Sequence, residues 1–83
     1  MKVSVRYFAS LREALGAGEA VDLAAGATVA ALRDALILRG GVHADALGRR
    51  RALRCALNQA LCDEAAALGE AAEVAFFPPV TGG

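Results

Sequence analysis

Polar and apolar positions alternate over Lys2–Phe8, with Val3, Val5 and Tyr7 on one face and Lys2, Ser4, Arg6 and Phe8 on the other. This period of two predicts a half-buried first strand, on which Phe8 falls on the polar side. Ser10 and Glu13 have capping-box spacing, which predicts a short helix starting at Ser10 and ended by Gly16 and Gly18. A second alternation sets Ala20, Asp22 and Ala24 against Val21 and Leu23, and reads as a strand paired hairpin-like with the first. The stretch "TVAALRDALILRGG" then changes period. Val29, Leu32, Ala35, Leu36 and Arg39 recur at helical spacing after Thr28, a good N-cap, and Gly40-Gly41 closes the helix.

Beyond that helix, "HADALGRRR" reads as a linker in which Asp45 caps at most a short turn and His43 lies at the surface. Leu53, Cys55 and Leu57 alternate with Arg54, Ala56 and Asn58. Asn58-Gln59 marks a tight turn, and Ala60-Leu61-Cys62 returns as a short strand. "DEAAALGEAA" reads as a loop with one helical turn. In the last strand, "EVAFF", Val74 and Phe76 face inward and Glu73, Ala75 and Phe77 outward. One amphipathic helix and a one-faced sheet each leave an apolar surface, and packing one on the other makes a two-layer α+β domain. With the first and last strands adjacent and parallel at the centre, the arrangement is the β-grasp, or ubiquitin-like, one: a mixed sheet of four to five strands on one main helix.

Composition narrows the function. Eighty-three residues make one domain. Nine basic and nine acidic residues balance, where a nucleic-acid binder carries a basic excess. Arg49-Arg50-Arg51 with Arg54 reads as a solvated face. No apolar run reaches the roughly 20 residues of a membrane span, and "MKVSVRYF" is a strand rather than a signal peptide, so a cytoplasmic protein with reduced thiols is expected. Cys55 and Cys62 have no metal spacing, and no metal or cofactor site is expected in this chain. Cys55 shares the apolar face of Leu53 and Leu57 and should be buried and inert. No Ser/His/Asp set or carboxylate pair suggests acid–base or nucleophilic catalysis within the chain.

The remaining chemistry is in the tail. Pro78-Pro79 removes two backbone donors and fixes φ, so strand pairing stops and the chain leaves extended. The five residues beyond Pro78 reach about 17 Å. Residues 78–83 are thus expected to form an extended, flexible tail on a domain spanning 1–83, able to enter a partner's pocket. Gly82 and Gly83 lack side chains, so a narrow channel can admit them and another enzyme can approach the terminal carboxylate. A carboxylate is a poor acyl donor until adenylated. This chain has no Gly-rich phosphate loop followed by Lys-Ser/Thr, so ATP would be used by a separate activating enzyme.

These residues resemble a known family. "EVAFFPPVTGG" looks like the C-terminus of the MoaD family, the small subunits of molybdopterin synthase. "YFASLREALG", "TVAALRDAL" and "ALNQALC" resemble its first strand and helical turn, its helix start, and its third strand and turn. The resemblance implies a sulfur carrier in molybdenum cofactor synthesis. A ubiquitin-activating-type (MoeB-like) enzyme would adenylate Gly83, and a persulfide sulfur donor would convert it to a thiocarboxylate. Val80, Thr81, Gly82 and Gly83 would enter the active site of a large catalytic (MoaE-like) subunit, where sulfur passes to cyclic pyranopterin monophosphate. Phe8 and Phe77 share the solvent face by alternation and Leu61 reaches the same side. With Pro78 and Pro79 they form the implied docking surface for both partners. The chain departs from the family at Glu70-Ala71-Ala72, where an Asp-Gly-Asp-like turn is usual, and so lacks the residue best suited to positive φ. Two alternatives remain open: a thiamine-type sulfur carrier, whose tail typically lacks the "FFPPVTGG" run, and a ubiquitin-like modifier conjugated to lysines.

Overall fold

The computed structural model describes residues 1–79. Strand β1 (Lys2–Tyr7) leads into helix α1 (Ser10–Leu15) and strand β2 (Gly18–Asp22). Helices α2 (Val29–Ile37) and α3 (Gly41–Leu47) follow, then strands β3 (Arg54–Leu57), β4 (Ala60–Cys62) and β5 (Glu73–Phe77). The sheet order is β2-β1-β5-β3-β4, with β1 and β5 parallel at the centre and the other pairs antiparallel. This is the β-grasp topology that the alternation predicts.

The inner face of the sheet carries Val3, Val5, Tyr7, Val21, Cys55, Val74 and Phe76, and α2 lays Val29, Leu32 and Leu36 across it. Thr28 caps α2, its hydroxyl accepting from the Ala31 amide at 3.2 Å. Two further amides of the first turn are satisfied by the loop before β5: Val29 N–H donates to Ala66 C=O and Ala30 N–H to Glu64 C=O. The 63–72 segment is held by these bonds and by the buried Leu68, and contains no helical turn.

Further local expectations are corrected. Ser10 is the first residue of α1 rather than its cap: Ala9 occupies the cap position with φ 54°, and no side chain caps the helix. From inside the first turn the Ser10 hydroxyl does not serve the amides an N-cap serves. Second, "HADALGRRR" is no linker, since α3 occupies most of it and buries Leu47 completely. The buried Arg33 of α2 holds this helix in place. Its Nε donates to Leu47 C=O at 2.7 Å, and its Nη2 donates to Gly48 C=O at 2.8 Å and Arg51 C=O at 2.9 Å. Its Nη1 pairs with Glu64 at 2.7 Å. Arg33 therefore replaces Arg39, which is exposed, among the inward positions of α2. Third, His43 is half-buried, with Nε2 3.0 Å from Glu19 Oε2.

The arginine run is also tied into the fold. Arg49 pairs with Asp34 at 2.7 Å and with Glu64, and Arg51 Nε donates to Asp45 C=O.

Candidate docking face and tail root

The pleat and the register build the outer face of the sheet. Arg6 lies beside Ala75, Ala75 beside Ala56, and Ala56 beside Leu61, forming one row across four strands. Toward the end where β5 leaves the sheet, Phe77 pairs with Arg54, and Phe8 follows the last residue of β1. Phe8, Phe77, Ala56 and Ala75 line one shallow groove, with Arg6, Gln59 and Glu73 at its edges. Phe8 is 40% exposed and Leu61 70% exposed. Small residues at 56 and 75 keep the middle of the face low between these larger groups. Among the described residues no helix covers this face, because α2 takes the inner side.

The turns that frame the face are specified locally. Asn58 and Gln59 have φ 49° and 71°, the two positive values that a two-residue type I′ hairpin requires. The Asn58 carboxamide then accepts from the Glu73 amide at 2.9 Å, and its own amide donates to Glu73 C=O at 2.8 Å. The β3–β4 turn is thereby pinned to the start of β5. At the opposite edge Gly18 is required, since a Cβ there would lie 2.3 Å from Val5 C=O.

Alternation places Arg6 on this face, but does not give its contacts with Phe8 and Glu73. Its guanidinium lies 5.6 Å from the centroid of the Phe8 ring and 4.0 Å from the Glu73 carboxylate. It holds the ring from one side while leaving the rest of it in solvent. A cation two residues before an aromatic on one strand face is the signal that points to it.

The predicted docking residues do not form one patch. Phe8 and Phe77 meet in the outer groove, and Leu61 extends the neighbouring row. Pro78 instead lines a second groove on the helical side, between Leu11 and Ala14 of α1, Val42 and Ala46 of α3, and Leu53. Pro78 thus lines a different groove from its neighbour Phe77. Pro79 is half-buried and lines neither groove. The tail positions Val80, Thr81, Gly82 and Gly83 lie outside the described residues. Among the described residues, no cluster of three or more His, Cys, Asp or Glu could hold a metal ion, and no helix is long and apolar enough to cross a membrane.

Fold and site together define a ubiquitin-like β-grasp domain whose central strand leads into Pro78-Pro79, beside an apolar face that no helix among the described residues covers. The chain belongs to the ThiS family, which residues 5–83 match. The molybdopterin synthase sulfur carrier subunit of Haemophilus influenzae is 40% identical over 82 residues, covering 98% of this chain and 99% of the relative. The protein of the same name from Escherichia coli is 42% identical over the same length and coverage. Among solved structures, SAMP1 from Haloferax volcanii superposes with a TM-score of 0.79 at 28% identity, covering all of both chains. A chain in the complex of subunits 1 and 2 of molybdopterin-converting factor from Helicobacter pylori superposes with a TM-score of 0.70 at 25% identity, again over both full chains.

Proposed function

We propose that this protein is the sulfur carrier subunit of a molybdopterin synthase, with Gly83 as the residue that carries the sulfur. One observation carries the reading. A chain matched over nearly its whole length by sulfur carrier subunits runs its central strand straight into Pro78-Pro79, beside an uncovered aromatic face.

The chemistry follows from the carboxylate. Its charge repels nucleophiles and its oxide leaves poorly, so activation requires ATP. A separate MoeB-like enzyme transfers AMP to the Gly83 carboxylate and releases pyrophosphate. Sulfur from a persulfide donor then displaces AMP to give an acyl disulfide. A second thiol of the donor attacks the donor's sulfur of that bond, expelling the thiocarboxylate and leaving a disulfide on the donor. The carrier docks on a MoaE-like large subunit through Phe8, Leu61 and Phe77, with Pro78 and Pro79 directing the tail. Val80, Thr81 and Gly82 pass Gly83 into the active site. There the thiocarboxylate sulfur is transferred to cyclic pyranopterin monophosphate, two carriers supplying the two sulfurs of the dithiolene. In this scheme the chain is a sulfurtransferase subunit that supplies a cosubstrate, and the acid, base and phosphate-binding groups are its partners'. The H. pylori complex of subunits 1 and 2 supports a large-subunit partner.

Reconstitution tests the reading. Thiocarboxylated protein, a MoaE-like large subunit and cyclic pyranopterin monophosphate should yield molybdopterin. Failure with every large subunit tried, while the thiocarboxylate is intact, would contradict it. The likeness to SAMP1 supports a second reading, in which the same activated terminus is transferred to lysine amines of other proteins. Covalent conjugates that form without pterin or large subunit would favour that one.

A further inference from the structure

Cys55 and Cys62 stand directly opposite each other on β3 and β4. Their Sγ atoms are 3.7 Å apart, and the Cys55 thiol also approaches Cys62 C=O at 3.4 Å. The two-residue turn at Asn58-Gln59 fixes this register, so the pairing is built into the hairpin. Opposed residues in an antiparallel pair have Cα atoms about 4.5–5.5 Å apart, inside the span of about 4.4–6.8 Å that a disulfide bridges. The Sγ atoms must approach by somewhat under 2 Å to reach a bonded distance of about 2.05 Å. The two thiols open onto a groove lined by Leu53, Arg54, Asp63 and Glu64. Cys62 is half-buried there, while Cys55 is only 4% exposed.

We propose that Cys55 and Cys62 form a reversible intramolecular disulfide that locks the outer hairpin of the sheet, with a low-molecular-weight disulfide such as glutathione disulfide as oxidant. The accessible Cys62 thiolate attacks one sulfur of the small disulfide. This forms a mixed disulfide at Cys62 and expels one small thiolate. Cys55 then loses its proton to solvent and attacks Cys62 Sγ, displacing the second small thiolate. Two protein thiols are oxidised, one small disulfide is reduced to two thiols, and the two protons released balance the two thiolates formed. The order follows from the surroundings. Burial, the Cys62 hydrogen bond and nearby negative charge push the Cys55 thiol up to about 12, which disfavours it as first attacker. Its position against Cys62 makes it the resolving thiol. The bond would fasten β4, a three-residue edge strand with one neighbour, which carries the exposed Leu61.

The test equilibrates the purified, reduced full chain in glutathione buffers of graded redox ratio. Acid-quenched intact mass, peptide mapping and hydrogen exchange are then read without reductant. The expected form has lost the mass of two hydrogens, yields a Cys55–Cys62 linked peptide and reverts with dithiothreitol. Its Ala60–Cys62 amides should exchange about tenfold more slowly. Cys55→Ala should instead trap the mixed disulfide on Cys62. Should that variant not fold, the wild-type measurement decides. An unchanged mass at every ratio, only intermolecular dimers, only a glutathione adduct, or a linked form with unchanged exchange would each overturn the proposal.

Discussion

Ala71 has φ 61° in the turn that feeds β5, where its amide donates to Lys2 C=O at 3.0 Å. The left-handed region costs a residue with a Cβ about 1–2 kcal/mol, and Ala71 is exposed, so no packing depends on its methyl group. Ala71→Gly should raise unfolding free energy by about 0.5–1 kcal/mol once the entropy cost of glycine is subtracted. Chemical denaturation measures this, and an unchanged or lower midpoint would contradict it. The missing glycine is visible in the sequence, while the positive φ of 54° at Ala9 is not. Glu19 gives a second prediction. Burial raises its pKa, but hydrogen bonds from His43, Arg39 and Tyr7 outweigh that and hold it at about 2, against 4.5 ordinarily. With the folded value depressed, this contribution to stability is present above about pH 4.5 and is lost as pH falls through about 2. Glu19→Gln should therefore flatten the decline in stability between about pH 5 and pH 2. It should not abolish it, because Glu64 is also held low: burial opposes the shift, and Arg49 and Arg33 overcome it. Acid denaturation series of the two proteins that superimpose would exclude the network. This network was not legible beforehand, since Tyr7, Glu19, Arg39 and His43 come from four separate segments with no shared period.

At the scale of elements, what carries a period was readable. The four strands with clear alternation form, the second ending at Asp22 rather than Ala24, and Asn58-Gln59 is the turn the pattern signals. Val29, Leu32 and Leu36 of the α2 stripe are buried as expected, but the helix stops at Ile37, short of Arg39 and Gly40-Gly41. Helix α3 was not readable, because it offers one fully buried anchor, Leu47, and its C-terminal carbonyls are bound by a guanidinium from another helix. A charged residue on an otherwise apolar stripe gives no sign of such a role. Leu47→Ala should cost about 2–5 kcal/mol, far more than a linker position would. A loss under about 0.5 kcal/mol, the range of ordinary surface substitutions, would mean that α3 is not part of the cooperative core. The facing thiols show a different failure. The hairpin register that opposes Cys55 to Cys62 was already implied by the turn, but spacing rules for cysteine motifs look along the chain and miss pairs made across strands.

For the whole molecule, the division into an inner face under α2 and an outer face left bare gives the domain one stable side and one available to a partner. The aromatic part of that face was legible from alternation. The placement of Pro78 against α1 and α3 was not, because alternation assigns a face only within the strand and Pro78 lies beyond it. Phe77→Ala should weaken association with a large subunit by about tenfold or more, as loss of an aromatic anchor does, with circular dichroism unchanged. Loss of folding, or unaltered affinity, would remove Phe77 from the docking face. The central claim concerns Gly83 and is tested most directly by intact mass. The chain is co-expressed with a MoeB-like adenylating enzyme and a persulfide donor and weighed beside a variant lacking Gly83. The account predicts that the full chain gains the mass difference between one sulfur and one oxygen, and that the variant does not. An unchanged mass for the full chain, or the same gain in the variant, would contradict it.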